Sequence, residues 1–179
     1  MRAQLVRAYE TEWPGQLIRV DISVYANWGG AYTNAETGGQ VHTVMSSVDP
    51  GYQGFAAIEM LFHEASHSMV DGETGRVAEA IQTQAKAHGI PVPNQLWHAL
   101  IFYTAGEFAR QDLSRVGVQD YRPYAEKQGL WERSSFRNYN GVLAIFWRAH
   151  MDGKLSLNDS VSQIVSALAI IQSTSSHIP

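Results

Sequence analysis

The sequence predicts an α+β domain: a small N-terminal sheet, antiparallel or mixed, then one buried helix, then a helical bundle. Three observations predict it. Residues 17–25 alternate between apolar and polar side chains over a full strand length. No stretch of comparable strand quality follows residue 48. From about residue 53 to 171, apolar side chains recur at three- and four-residue spacing, the period of helices packed on one face. The 179 residues contain no internal repeat and no low-complexity linker. They suit one domain over 1–179, with strands in about 17–48 and helices in about 53–171.

In chain order, residues 2–12 can form a short helix that Trp13-Pro14-Gly15 ends. In residues 17–25, Ile18, Val20, Ile22 and Val24 face one way and Arg19, Asp21 and Ser23 the other, as in a half-buried strand. Asn27-Trp28-Gly29-Gly30 reads as a turn, residues 31–34 as a short strand, and Glu36-Thr37-Gly38-Gly39 as a second loop. Residues 40–48 form a further strand with weaker alternation, broken by Asp49-Pro50-Gly51, and a long apolar helix follows. Residues 73–88 are amphipathic on Val77, Ala78, Ile81 and Ala85, and Gly89, Pro91 and Pro93 stop them. Asn94 suits the N-cap of a helix to about residue 115. A helix over 139–151 ends at Asp152-Gly153. Ser156 and Asp159 resemble a capping box for a last helix to about Ile171, and residues 173–179 are expected to fray.

Composition excludes several functions. Hydrophobic residues make up 45% and charged ones 17%, a balance that folds. The net charge is −4 without a basic run, which gives nucleic acid no electrostatic hold. The absence of cysteine removes thiolate metal sites, disulfides and thiol nucleophiles. No apolar run is long enough for a membrane span. The N-terminus, Met-Arg-Ala-Gln-Leu-Val-Arg, lacks the apolar core of a signal peptide, so a cytoplasmic protein, or an exported one with its signal trimmed, is expected.

The chemistry concentrates in residues 58–71, Ile-Glu-Met-Leu-Phe-His-Glu-Ala-Ser-His-Ser-Met-Val-Asp, which contain H-E-x-x-H. His63 and His67 lie one helical turn apart on one face, close enough to hold a single ion. Glu64 is displaced around the helix and can take a proton from a water beside that ion. The helix is otherwise largely apolar, so its imidazoles and carboxylate need partners, which a metal supplies.

This segment resembles the active-site helix of the zincin metallopeptidases, and with Asp71 it reads H-E-x-x-H-x-x-x-D, similar to the thermolysin-like gluzincins. The resemblance implies a zincin-like fold, one Zn²⁺ per chain, and hydrolysis of peptide or protein substrates. It also implies that the strand just before the helix, near residues 40–47, offers an edge to the substrate backbone. Where thermolysin-like enzymes carry their third ligand, this chain has Lys86-Ala87-His88, so that ligand must lie elsewhere.

The next apolar helix offers Glu107 and His98, about half a turn apart in direction, so both cannot bind one ion on an unbroken helix. Glu107 is favoured, because a buried carboxylate needs a strong partner and the gluzincin pattern prefers Glu. Gly106 beside it fits a close approach by another backbone. Tyr103, one turn before Glu107, is the candidate donor to a developing oxyanion. Glu59 and Asp71, one turn either side of the His pair, can each hold an imidazole N–H, and His42 can line the cleft. The reading is a zinc-dependent metallopeptidase with Glu64 as general base. The alternative is a zincin-like metal-binding domain without peptidase activity, against which an intact Glu64 argues.

Overall fold

A computed structural model describes residues 1–26, 30–35, 41–70, 75–133 and 135–175. The chain is mixed α+β, as expected. Helix α1 (Arg2–Tyr9) buries Leu5, Ala8 and Tyr9 and stops earlier than its sequence suggests. Glu10 takes a left-handed conformation (φ 50°) and returns its N–H to the Val6 carbonyl, which satisfies an end that helical geometry leaves open.

Three strands follow: β1 (Ile18–Ser23), β2 (Ala31–Ala35) and β3 (Val41–Ser46). Their order is β1-β3-β2, with β1 parallel and β2 antiparallel to β3, so the sheet is mixed. Two sequence expectations change here. The cleanest alternation belongs to an edge strand, β1, and half of its apolar row is uncovered: Ile22 and Val24 are 66% and 70% exposed. The strand before the long helix, β3, is central and has no open edge, so it cannot accept a substrate backbone. The cause of both is packing. The long helix lies across β2 and β3, burying Val41, Thr43 and Met45.

Asp49 caps a 3-10 turn (Pro50–Tyr52) by accepting from the Gly51 N–H at 2.8 Å. Helix α2 (Phe55–Val70) then runs under the sheet, with Glu59, His63, Glu64 and Ser66 all buried among its apolar residues. Helix α3 (Arg76–Ala87) packs its Val77, Ala80, Ile81 and Ala85 stripe toward the last helix, α8 (Leu157–Ser175). Helix α4 (Leu96–Arg115) is the central element, buried nearly all round and packed on α2. Its N-cap position is Gln95 rather than Asn94, in a left-handed conformation at φ 60°.

A short helix α5 (Tyr124–Lys127) and a 3-10 turn (Leu130–Glu132), neither evident from periodicity, lean on α4 and α2. Helix α6 (Tyr139–Val142) passes through a π-helical turn (Leu143–Trp147) into α7 (Arg148–Met151). Trp147 from that turn is fully buried and donates Nε1–H to Thr104 Oγ1 at 2.8 Å, so the core indole is satisfied. Ser156 and Asp159 cap each other at the start of α8, as the sequence predicts, and α8 continues past residue 171 into the segment expected to fray. The larger core gathers around α4; a smaller one (Ala31, Met45, Tyr52, Met60, Phe102, Ala125 and Leu130) joins the sheet to α2, α4 and α5. The candidate site sits beside this second core.

Candidate metal centre

His63 and His67 project from one face of α2, with ring centroids 5.1 Å apart. His98, on the first turn of α4, completes a near-equilateral triangle, 5.2 Å from His63 and 5.1 Å from His67. One nitrogen from each ring lies within 4.8 Å of the other two, a grouping that can hold a metal ion. The Nε2 atoms of His63 and His98 approach to 3.3 Å. Two nitrogens at about 2.0–2.1 Å from a tetrahedral ion are separated by about 3.3 Å, so this spacing fits a shared ion.

The surroundings fix His98 in place. Its ring stacks on Trp97 (4.9 Å, 15° between planes) and on Phe102 (4.7 Å, 30°). Gln95 Oε1 lies 3.3 Å from His98 Nδ1 and can accept its N–H, which leaves the Nε2 lone pair directed at His63. The left-handed backbone of Gln95 brings its side chain back over the helix start; such a conformation in a non-glycine residue marks a constrained position.

Burial favours the neutral form of His63 and His98, the form that binds metal. Burial pushes His63 well below its ordinary value, with His67 and His98 adding to the shift. Burial, then His67, lowers His98 to about 4. The His63 Nδ1 is buried and has no hydrogen-bond partner among the described residues.

Glu64 is 4% exposed and faces the same cavity. Thr33 of β2 lies with its Oγ1 2.7 Å from Glu64 Oε2, so the edge strand holds the carboxylate. Burial raises Glu64 to about 7, against the lowering effect of Thr33. The cavity, of about 930 Å³, is walled by α2, β2 and the start of α4, and by Tyr124, Leu130, Arg133 and Phe136 from the short elements near α5. Tyr52 packs against Tyr124 on this wall, ring centroids 5.7 Å apart; burial, then Tyr124 and Glu64, push its phenol far up.

The site residues expected from sequence divide clearly. His63, Glu64 and His67 come together. Glu107 does not join them: it is ion-paired with Arg110 and with Arg148, whose Nη1 is 2.7 Å from Oε2. The half-turn between His98 and Glu107 is observed, but it points Glu107 at these arginines and His98 at the histidine pair. A histidine at this place departs from the ligand set that the thermolysin-like resemblance implies.

Tyr103 also turns away. It packs in the larger core near Glu107 and Arg148 and does not line the cavity. Glu59 does not reach His63. It is fully buried and accepts from Tyr121 Oη (2.6 Å) and the Tyr124 N–H (2.9 Å), so it ties α2 to the cavity wall. The close approach expected at Gly106 is real, but the neighbour is a proline ring: a Cβ there would sit 2.8 Å from Pro123 Cβ. His42 pairs with Asp21 at 2.7 Å on the sheet and does not line the cavity. Asp71 lies outside the described residues.

Sequence reasoning missed Gln95, Thr33 and the phenol of Tyr52; Tyr124 stood out only as a tyrosine with no positional argument. Gln95 directly before a helix carrying His98 had a local signal; the others come from segments whose pairing with α2 only the fold sets. Comparison with known protein families, curated proteins and solved structures finds no match to this chain.

Proposed function

We propose that the protein is a zinc-dependent hydrolase of the zincin kind that cleaves peptide bonds. The observation that carries this reading is the convergence of three imidazoles, His63, His67 and His98, beside a buried carboxylate, Glu64, in one cavity. His63, His67 and His98 would hold the ion, and their donor set suits Zn²⁺. When bound, the ion supplies Lewis-acid polarisation of the scissile carbonyl and acidifies water.

The chain's own groups do the rest. Glu64 accepts the proton of the attacking water and returns it to the leaving amine, and Thr33 fixes the carboxylate for both transfers. The phenols lining the cavity are Tyr32, Tyr52 and Tyr124, so the donor to the developing oxyanion comes from this set in place of Tyr103. Strand β2, paired on one side with β3 and lining the cavity through Ala31, Tyr32 and Thr33, is the edge along which an extended substrate would lie.

The test is a Glu64→Gln variant assayed for metal and for turnover of a mixed peptide library. The reading expects zinc content unchanged and hydrolysis lost. Undiminished hydrolysis removes Glu64 from the mechanism. A zinc-loaded wild type that cleaves nothing leaves a metal-binding domain without peptidase activity.

A further inference from the structure

We infer that Arg133 makes the cavity selective for a substrate with a free carboxylate, borne next to an aromatic or other bulky apolar group. Arg133 is the only Lys or Arg among the described residues that line the cavity. Five other arginines pair with acids away from the cavity: Arg19 with Asp21, Arg76 with Glu10, Arg115 with Asp112, and Arg110 and Arg148 with Glu107. Arg133 has no carboxylate partner among the described residues. Its hydrogen bond is a long one, from Nη2 to the Gln128 carbonyl at 3.4 Å. A guanidinium carries five N–H donors in a planar fork that matches a carboxylate, so most of its donors remain for a ligand.

Its backbone is well placed for that role. Arg133 ends the Leu130–Glu132 turn, its N–H bonds the Leu130 carbonyl at 3.1 Å, and Leu130 is anchored in the smaller core. Its carbonyl accepts from the Phe136 N–H at 3.0 Å, which ties the arginine to an aromatic wall of the same cavity. The neighbouring walls, Phe102, Tyr124 and Phe136, are aromatic, and Phe102 and Tyr124 stack at 6.0 Å with 6° between planes. The chain as a whole is acidic (net charge −4), so no global field draws an anion in, and the exposed guanidinium of Arg133 at the cavity wall supplies the local positive charge. An open cavity of about 930 Å³ has room for a small ligand. Together these describe a short peptide or an acylated amino acid with a free terminal carboxylate. The position of the scissile bond rests on the hydrolase reading above; the carboxylate contact does not.

The experiment measures binding of N-benzoyl-glycyl-phenylalanine and of its C-terminal amide by calorimetry. The proteins are the wild type, Arg133→Ala and Arg133→Lys, each zinc-depleted. A zinc-loaded arm uses the same set in a Glu64→Gln background to prevent turnover. Thermal midpoints check that each variant folds. The free acid should bind more tightly than the amide by on the order of 10–100-fold, also without zinc. Arg133→Ala should erase the difference and Arg133→Lys should retain part of it. Equal binding of acid and amide by the wild type, or binding of neither, overturns the inference. So does a preference that survives Arg133→Ala, or one that vanishes with zinc and ignores Arg133, which would place the carboxylate on the metal. Metal analysis of the same samples reports on the zinc site independently: an Arg133-dependent preference in protein that takes up no zinc would uphold this inference and sink the hydrolase reading.

Discussion

Replacing His98 by Ala tests the metal centre most directly, because His98 and Glu107 make opposite predictions. In the structure His98 brings its Nε2 to 3.3 Å from that of His63, whereas Glu107 is held by Arg110 and Arg148. Zinc binding to sites with four protein ligands is worth about 10–16 kcal/mol, or roughly 2.5–4 kcal/mol per ligand. Loss of His98 should therefore weaken zinc binding by on the order of 10²–10³-fold. Glu107→Gln should leave zinc affinity nearly unchanged while lowering stability, because two partly buried guanidinium groups lose their shared carboxylate. Competition against a chromophoric chelator gives the affinities. Thermal midpoints with and without zinc give the stabilisation, which should rise with free zinc for the wild type and much less for His98→Ala. Zinc affinity that falls in Glu107→Gln and holds in His98→Ala would refute the reasoning.

Three further outcomes are expected. Burial raises Glu59 to about 7 from an ordinary 4.5, despite its Tyr121 and Tyr124 donors. The folded state thus holds a proton that the unfolded state has released between those values, so this group's contribution is most favourable below about pH 4.5 and is lost as pH rises through about 7, by at most about 3 kcal/mol. Urea melts of Glu59→Gln and wild type should show the variant gaining relative to wild type from pH 5 to pH 8, and a relative loss would reverse the sign of the argument. Gly106→Ala should destabilise by about 1–3 kcal/mol even though Ala favours helices, because its Cβ would meet Pro123 at 2.8 Å; a raised thermal midpoint would show that the proline gives way. Gln95→Ala, which leaves His98 Nδ1 without its acceptor, should weaken zinc binding roughly 10-fold or more, measured with the same chelator; unchanged affinity would mean that Trp97 and Phe102 suffice to orient the ring.

The sequence by itself determined what depends on neighbours along the chain. The 3.6-residue period placed α2 and α4, the Ser156–Asp159 cap opened α8, and the i, i+4 spacing put His63 and His67 on one face. It also set the half-turn between His98 and Glu107, a rigid property of one helix. Which of those two faces α2 was decided by the packing of α4 between two layers. The local pattern left this open: each side of the helix offered one polar group that needed a partner, and Arg110, three positions after Glu107, was a cation within its reach. The answer came from Arg148, 41 positions further on, which brings a second cation to the Glu107 side. The same holds for the sheet. Alternation in residues 17–25 is correct as a period, but it cannot tell an edge strand from a central one, because hydrogen bonds to either side leave the same pattern of side chains. Strand order put β3 in the middle and β2 at the open edge beside Glu64, and that order is set by which apolar faces α2 covers.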